Sequence, residues 1–290
     1  MKISDQITPG RQFVSLEYFP PKERTDWPSF FQVVDQLAKL KPLFASVTYG
    51  AGGSTQAATL EIVTRMQQEH GLETMAHLTC VGAQPDRLRC FLDDLAAAGV
   101  SNVLALRGDP PKDVLPDEMT ESPLHFASDL VSFVRGSHPH MGIGVAAYPE
   151  VHPEAVSAEA DLGYLKLKTD LGGEFAITQL FFDNSHYFDF VARARSRGIN
   201  RPIIPGILPV VSLKVVQRII SLCGATLSAE FMARLEEADR SGGAAAVQRV
   251  GIAHARQQAE GLLAGGAPGV HLYTLNRAEA ILEITDGLLR

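Results

Sequence analysis

Asn102-Val-Leu-Ala-Leu-Arg-Gly-Asp-Pro-Pro111 is the stretch that decides the fold. Its first five residues form a short apolar run, as expected of a strand buried on both faces in a parallel sheet. A guanidinium, a glycine and a carboxylate follow without a spacer, and two prolines stop the strand. Opposite charges therefore sit at the strand's carboxyl end, beside bare backbone, where parallel α/β folds bind ligands. A lone Arg-Gly-Asp is ordinarily a surface ion pair at a turn. Here the arrangement recurs along the chain.

Working outward, eight β-like runs can be read: Phe13–Tyr18, Phe44–Tyr49, Thr74–Thr79, Asn102–Leu106, Gly142–Ala147, Glu174–Phe182, Pro202–Ile207 and Gly269–Tyr273. Helical patterns follow them at Trp27–Leu40, Thr55–Glu69, Pro85–Ala98, Pro123–Arg135, Pro153–Asp170, Ser185–Arg197, Ser212–Leu222 and Arg277–Leu289. Apolar residues in these segments return at three- and four-residue steps, as in Phe30, Val34, Leu37 and Leu40. Pro28, Pro85 and Pro153 occupy positions where a first helical turn tolerates proline, and Gly71, Gly99 and Gly198 positions where a left-handed cap needs glycine. Strand then helix, eight times in 290 residues, predicts a (β/α)8 TIM barrel. Two extra helices, Ser228–Ala238 and Gly243–Ala264, are expected before the eighth strand. With no low-complexity linker, residues 1–290 are expected to form a single barrel domain, and an open doubly wound sheet is the alternative architecture.

A chain 46% hydrophobic and 20% charged can bury a large core. Its net charge of -7 argues against a nucleic-acid or membrane-surface partner. Neither a membrane-spanning run nor a signal peptide is visible, so a cytoplasmic location is expected. Cys80, Cys90 and Cys223 lack metal-ligand spacing and suit free thiols in a reducing compartment. His138, His140, His186 and His254 lack partner spacing, and surface positions are expected for them.

A barrel places its chemistry on strand carboxyl ends. Those ends carry Glu17, Thr48-Tyr49, His77, Arg107-Gly108-Asp109, Tyr148, Thr178-Gln179 and Tyr273, with Arg277 close behind. So many hydrogen-bonding side chains at one rim point to an enzyme. Glu17 lies among apolar neighbours, where burial should raise its pKa and leave a neutral acid able to donate a proton. A structural carboxylate anchoring the amino-terminal loop is the other reading. Tyr49-Gly-Ala-Gly-Gly-Ser-Thr55 can offer backbone N–H groups to an anion, or can simply be a close turn. Gly142-Ile-Gly-Val-Ala-Ala147 matches a dinucleotide-type glycine pattern, but no helix opens there, so it is read as plain strand. Asp161, Tyr164 and Lys168 share one helix face, where they are either solvated decoration or holders of a ribose and a phosphate.

Taken together, Leu16-Glu-Tyr-Phe-Pro-Pro21, Ser46-Val-Thr-Tyr-Gly50, His77-Leu-Thr79, Leu106-Arg-Gly-Asp109, Ala147-Tyr-Pro-Glu-Val-His-Pro-Glu154, Ala176-Ile-Thr-Gln179, Pro205-Gly-Ile-Leu-Pro209 and Tyr273-Thr-Leu-Asn-Arg277 resemble, in order, the flavin-dependent 5,10-methylenetetrahydrofolate reductases. The resemblance is to the short bacterial form, without the regulatory domain that eukaryotic members append. It implies a (β/α)8 barrel holding FAD non-covalently at its carboxyl face. NADH or NADPH reduces the flavin, and 5,10-methylenetetrahydrofolate then takes the same place and is reduced to 5-methyltetrahydrofolate, the methyl donor for methionine synthesis. It also implies a homo-oligomer.

By the same resemblance, Glu17 matches the general acid and Asp109 the carboxylate that tunes the flavin and contacts the pterin. Gln179 matches the folate-binding amide, Arg277 the cation near its glutamate tail, and Thr48 a position near the nicotinamide. Tyr49, Ala51, His77, Arg107, Gly108, Ala127, Tyr148, His152, Ala155, Asp161 and Lys168 match the FAD contacts. Tyr164, on the same face, replaces an Asn of the best-known bacterial members. Leu167 replaces an Arg and Leu213 a Phe, so diphosphate and nicotinamide contacts differ at these positions. A pterin-binding barrel that works without flavin, by one-carbon or direct hydride transfer, is the alternative. Nothing in the sequence separates NADH from NADPH.

Overall fold

The computed structural model describes residues 1–49, 56–109 and 122–289. Its strands are β1 Phe13–Tyr18, β2 Ala45–Val47, β3 Thr74–Thr79, β4 Asn102–Leu106, β5 Gly142–Ala147, β6 Phe175–Thr178, β7 Ile203–Ile204, β8 Gly206–Ile207 and β9 Gly269–Tyr273. All described pairings are parallel, in the order β7-β6-β5-β4-β3-β2-β1-β9-β8. The seventh run of the sequence is thus two pieces, because Pro205 has no N–H to give a ladder. β7 pairs with β6 and β8 with β9, so the ring closes across Pro205.

Side chains on the seam finish that closure. Gly206 N donates to Thr178 Oγ1 at 2.9 Å, and Tyr273 OH donates to the Thr178 carbonyl at 2.9 Å. A Cβ on Gly206 would lie 2.4 Å from that carbonyl oxygen, so only glycine fits.

The helices are α1 Ile3–Gln6, α2 Trp27–Ala38, α3 Gln56–His70, α4 Pro85–Ala97, α5 Ala127–Ser137, α6 Ala158–Asp170, α7 Asn184–Ser196, α8 Leu213–Cys223, α9 Ala229–Ala264 and α10 Ala278–Thr285. The two extra helices predicted before the last strand form α9, broken at Gly243 (φ 59°, ψ -155°). Gly71, Gly99 and Gly198 take positive φ just past helix ends, as expected. Pro153, however, stands outside a helix. α6 starts later, where Ser157 Oγ accepts from Ala160 N at 3.1 Å.

Strand alternation sorts the core. Val14, Leu16, Ala45, Val47, Ala76, Leu78, Val103 and Ala105 face the helical layer in one large apolar cluster. Phe13, Phe44, Met75, Leu104 and Phe175 fill the amino-terminal half of the barrel interior with Ile3 of α1. That short helix is pinned by Ile3 N to Asn102 Oδ1 (2.9 Å) and by a Lys2–Glu174 ion pair (2.8 Å). Apart from Asn102, which holds α1, the lower half is filled by hydrocarbon, and the inward registers carry polar side chains chiefly toward the carboxyl half.

Candidate active site

Glu17 stands two residues beyond Ser15 on the inward face of β1, paired in register with Ser46 on β2 and Tyr273 on β9. It is buried, with three polar side chains around a single oxygen. His271 Nε2 lies 3.3 Å from Oε2 in hydrogen-bonding geometry, and Ser46 Oγ donates to it at 3.4 Å. His77 Nε2 also lies 3.3 Å away, but off the hydrogen-bond line. No described residue hydrogen-bonds Oε1, which leaves it for a ligand. Burial opposes the carboxylate charge here, but His77 and His271 outweigh it and bring the pKa down to about 2. The expected neutral acid is therefore not the ligand-free state: the imidazoles hold Glu17 ionised.

The backbone beneath Glu17 is clamped from β9. Thr274 N and Oγ1 both donate to the Glu17 carbonyl, at 3.1 and 2.6 Å. Asn276 accepts from Phe19 N at 3.0 Å through Oδ1 and donates to Phe19 O at 2.7 Å through Nδ2, a side-chain imitation of a strand pair. Leu275 and Asn276 adopt left-handed φ of 49° and 54° to make that reach.

Across the rim, two cations stand near the ends of β4 and β5. Arg107 forms a two-point ion pair with Glu154, at 2.5 and 2.9 Å. Lys168 on α6 donates to the Ala146 carbonyl at 2.6 Å and has no carboxylate within ion-pair distance among the described residues. Desolvation lowers its pKa to about 8, against the opposing pull of Asp161. Asp161 itself accepts from His152 N at 3.0 Å, and the His152 ring packs edge-on against Tyr148 with centroids 4.6 Å apart. Burial pushes the Tyr148 hydroxyl up to about 12. Between them Val151 holds φ 73°, a strained value for a β-branched residue. Gly108 is held at φ 83°, where a Cβ would meet Thr79 Cβ at 2.8 Å.

The remaining predicted positions fall around this rim unevenly. Thr48 ends the second strand run, its carbonyl accepting from Thr59 Oγ1 at 3.0 Å. Tyr49 packs on Phe91 with centroids 5.7 Å apart, and burial raises its hydroxyl to about 12. Gln179 follows β6, its N donating to Ala147 O at 2.7 Å and its Oε1 accepting from Leu180 N at 2.9 Å. Asp109 and Arg277 are exposed, and Arg277 immediately precedes α10 without a side-chain capping bond. Ala127 opens α5, Ala155 N donates to His152 O at 2.9 Å, and Ala51 lies outside the described residues. Tyr164 (59% exposed) and Leu167 (44% exposed) point to solvent on α6. Leu213 opens α8 and packs in a side cluster with Leu180 and Phe182.

Two expected surface histidines turn inward. His138 is buried with Nε2 3.0 Å from Asp93, and His254 stacks on Phe231 at 3.8 Å. His271, Ser15, Thr274 and Asn276 carry the geometry at Glu17 although none was singled out from sequence. The available signal was a histidine and a serine at inward registers of two strands otherwise apolar at those depths.

A sequence profile described as Methylenetetrahydrofolate reductase matches residues 2–288. The chain belongs to the methylenetetrahydrofolate reductase family. The 5,10-methylenetetrahydrofolate reductase of Escherichia coli (strain K12) is 41% identical, over 93% of this chain and 88% of its own. The Methylenetetrahydrofolate reductase (NADH) 1 of Arabidopsis thaliana is 39% identical over 99% of this chain, which spans about half (51%) of that plant protein. A solved Clostridium thermocellum structure, described as binding two copies of 5-methyl-5,6,7,8-tetrahydrofolic acid, superposes with TM-score 0.66 at 12% identity over 99% of both chains. Identity that low speaks for the fold alone: the barrel is shared. Among the described residues no helix is long and apolar enough to cross a membrane.

Proposed function

We propose that this methylenetetrahydrofolate reductase family member reduces 5,10-methylenetetrahydrofolate to 5-methyltetrahydrofolate with FAD as cofactor and NADH or NADPH as reductant. In this proposal residues 1–290 act as one catalytic barrel, working in the cytoplasm as a homo-oligomer that feeds methionine synthesis. The observation that carries the reading is Glu17, a buried carboxyl at the barrel mouth of a chain in this family, with its contacts gathered on one oxygen.

The rim fits a dinucleotide carrying a diphosphate. Among the described residues, no carboxylate offsets the Lys168 charge by direct contact, and the ion-pair partner of Arg107 is an exposed carboxylate that an anion can displace. Tyr49, Ala51, His77, Gly108, Ala127, Tyr148, His152, Ala155, Asp161 and Tyr164 complete the proposed FAD contacts, and Thr48 meets the nicotinamide. When bound, the flavin supplies the redox chemistry, which no side chain here performs.

Glu17 delivers a proton to the folate amine nitrogen that leaves the bridging carbon as the imidazolidine ring opens. Because the carboxylate is ionised without ligand, it must take up that proton as folate displaces water and strengthens the desolvation that favours the neutral form. Asp109 and Gln179 orient the pterin through its hydrogen-bonding edge, and the exposed guanidinium of Arg277 meets the glutamate tail.

An anaerobic absorption spectrum tests the assignment. A flavin band that bleaches with NADH and returns with methylenetetrahydrofolate is expected. A protein that stays colourless with added FAD overturns it. Glu17→Gln should nearly abolish folate reduction yet spare flavin reduction; equal loss in both removes Glu17 from this role.

A further inference from the structure

The turn after β5 carries a carboxylate that the reaction above does not use. The Glu150 side chain is 13% exposed, and its Oε2 accepts twice from one residue, from Thr226 N at 3.0 Å and from Thr226 Oγ1. Its Oε1 lies 3.4 Å from His186 Nδ1 on α7, outside hydrogen-bonding geometry. Thr226 stands in the link between α8 and α9, 76 residues along the chain. A second contact lies close by. Gly224, the left-handed residue that ends α8 (φ 73°), sits so near Pro153 that a Cβ there would be 3.1 Å from the Pro153 Cγ. One turn, Tyr148–Ala155, thus grips the carboxyl end of α8 at two points.

Both sides of this contact need it. In the turn, Val151 holds its left-handed φ immediately beside Glu150, with Val151 N donating to Tyr148 O at 3.3 Å. Strain of that kind persists where surrounding contacts over-determine the backbone. The same turn sets the Tyr148 and His152 rings, 4.6 Å apart. On the other side, α8 is loosely built into the core. Val216 is buried, but Leu213, Ile219, Ile220 and Cys223 are half-buried, and Val215 and Leu222 are exposed. An element with few buried apolar contacts opens locally at low cost. α8 follows β8, so its first turn borders the barrel mouth, and its 11 residues carry the chain about 16 Å from there toward Gly224. An anchor at the far end therefore fixes a wall of the mouth.

We propose that Glu150 is a positioning residue: by holding Thr226 it locks the Tyr148–Ala155 turn to α8, so that the rims after β5 and after β8 are set as one unit. What Thr226 requires is an acceptor, not a charge, because its N–H and hydroxyl are both neutral donors. Glu150→Gln keeps that acceptor and turns an N–H toward His186 Nδ1, which has no hydrogen-bond partner among the described residues. Glu150→Ala removes both. The effect on ligands rests on the cofactor and substrate assignment above; the tie itself does not.

Hydrogen exchange on the flavin-free protein tests the tie. Glu150→Ala should speed exchange at Thr226 N–H, and with it at Val151 and Ala155 N–H, by about fivefold to tenfold, with Glu150→Gln within about twofold of wild type. Faster exchange at Thr226 alone, or at none of the three, overturns the proposal. In the holoenzyme at saturating FAD, Glu150→Ala should raise KM for NADH and for methylenetetrahydrofolate about threefold or more, with kcat kept within about twofold. Glu150→Gln should restore both KM values. Thr226→Val, which keeps the N–H and deletes the hydroxyl, should move exchange and KM in the same direction by less. A fall in kcat at unchanged KM, or a Glu150→Gln protein as impaired as Glu150→Ala, overturns the proposal. A wild-type protein that binds no FAD overturns the assignment of function instead, and the exchange rates then decide the tie by themselves.

Discussion

Arg107 and Glu154 face each other as guanidinium and carboxylate in a two-point pair at the rim, with the Glu154 side chain 62% exposed. The hydrogen bonds from Arg107 hold the Glu154 carboxyl below its ordinary value. The carboxylate thus occupies the place where the proposed diphosphate would accept the same fork of donors. An exposed pair of this kind contributes about 0–1 kcal/mol.

Glu154→Gln should therefore leave stability within about 0.5 kcal/mol and tighten FAD binding up to about fivefold. Fluorescence titration of the apoprotein reads this directly. Weaker binding would mean that Glu154 helps the cofactor rather than competing with it.

Lys168 gives a pH dependence of opposite sense for stability and binding. Its folded pKa is about 8 against an ordinary 10.5, so the unfolded chain binds more protons between those values and stability rises with pH across that window. Affinity for an anionic cofactor needs the ammonium and should fall as pH passes about 8. Lys168→Met should flatten both profiles and weaken FAD binding about tenfold or more. Urea unfolding and flavin titration from neutral to alkaline pH check the two halves separately.

Glu17 acts at the acid end. Its folded pKa of about 2 lies below the ordinary 4.5, so its contribution is fully present above about 4.5 and is lost as pH falls toward 2. Glu17→Gln should make the stability of the apoprotein fall less steeply over that interval, followed by urea midpoints at a series of acid pH values. An unchanged slope would show that the two imidazoles do not hold the carboxylate ionised.

Thr178→Val tests the seam at Pro205. Without the hydroxyl, Gly206 N–H is buried and unpaired, costing about 1–3 kcal/mol. Thr178→Ser should recover most of that loss, since the hydroxyl returns and only a methyl is missing. Chemical unfolding of the three proteins distinguishes a hydrogen-bond effect from a packing effect.

Most of the barrel was legible because its strands are short apolar runs with abrupt polar or proline ends. β1, β3, β4, β5 and β9 begin and end where the residues say they should. The seventh strand was not, because a run containing Pro205 reads as one piece until its two neighbours are known. α1 went unread: four mostly polar residues have no periodicity, and their place is fixed by Asn102 and Glu174, far along the chain. At the site, the strand-end positions of Glu17, Arg107 and Lys168 could be read. The charge state of Glu17 could not, since burial is a local property of β1 while His271 comes from 254 residues away. Pro153 misled because the left-handed turn at Val151 and the Ser157 cap delay α6, and both depend on backbone angles that composition does not encode.

The clamp from Thr274 and Asn276 onto Glu17 and Phe19 also sets an order of events in synthesis. A ribosome makes the strand carrying Glu17 long before Thr274, which fixes it from 257 residues further along. Long-range pairings of this sort form late, after the intervening chain has folded enough to bring its ends together. A nascent chain released before Asn276 can hold nearly every helix of the barrel and still present an unplaced carboxyl. Synthesis of the turn carrying Thr274 and Asn276 is thus what arms the site.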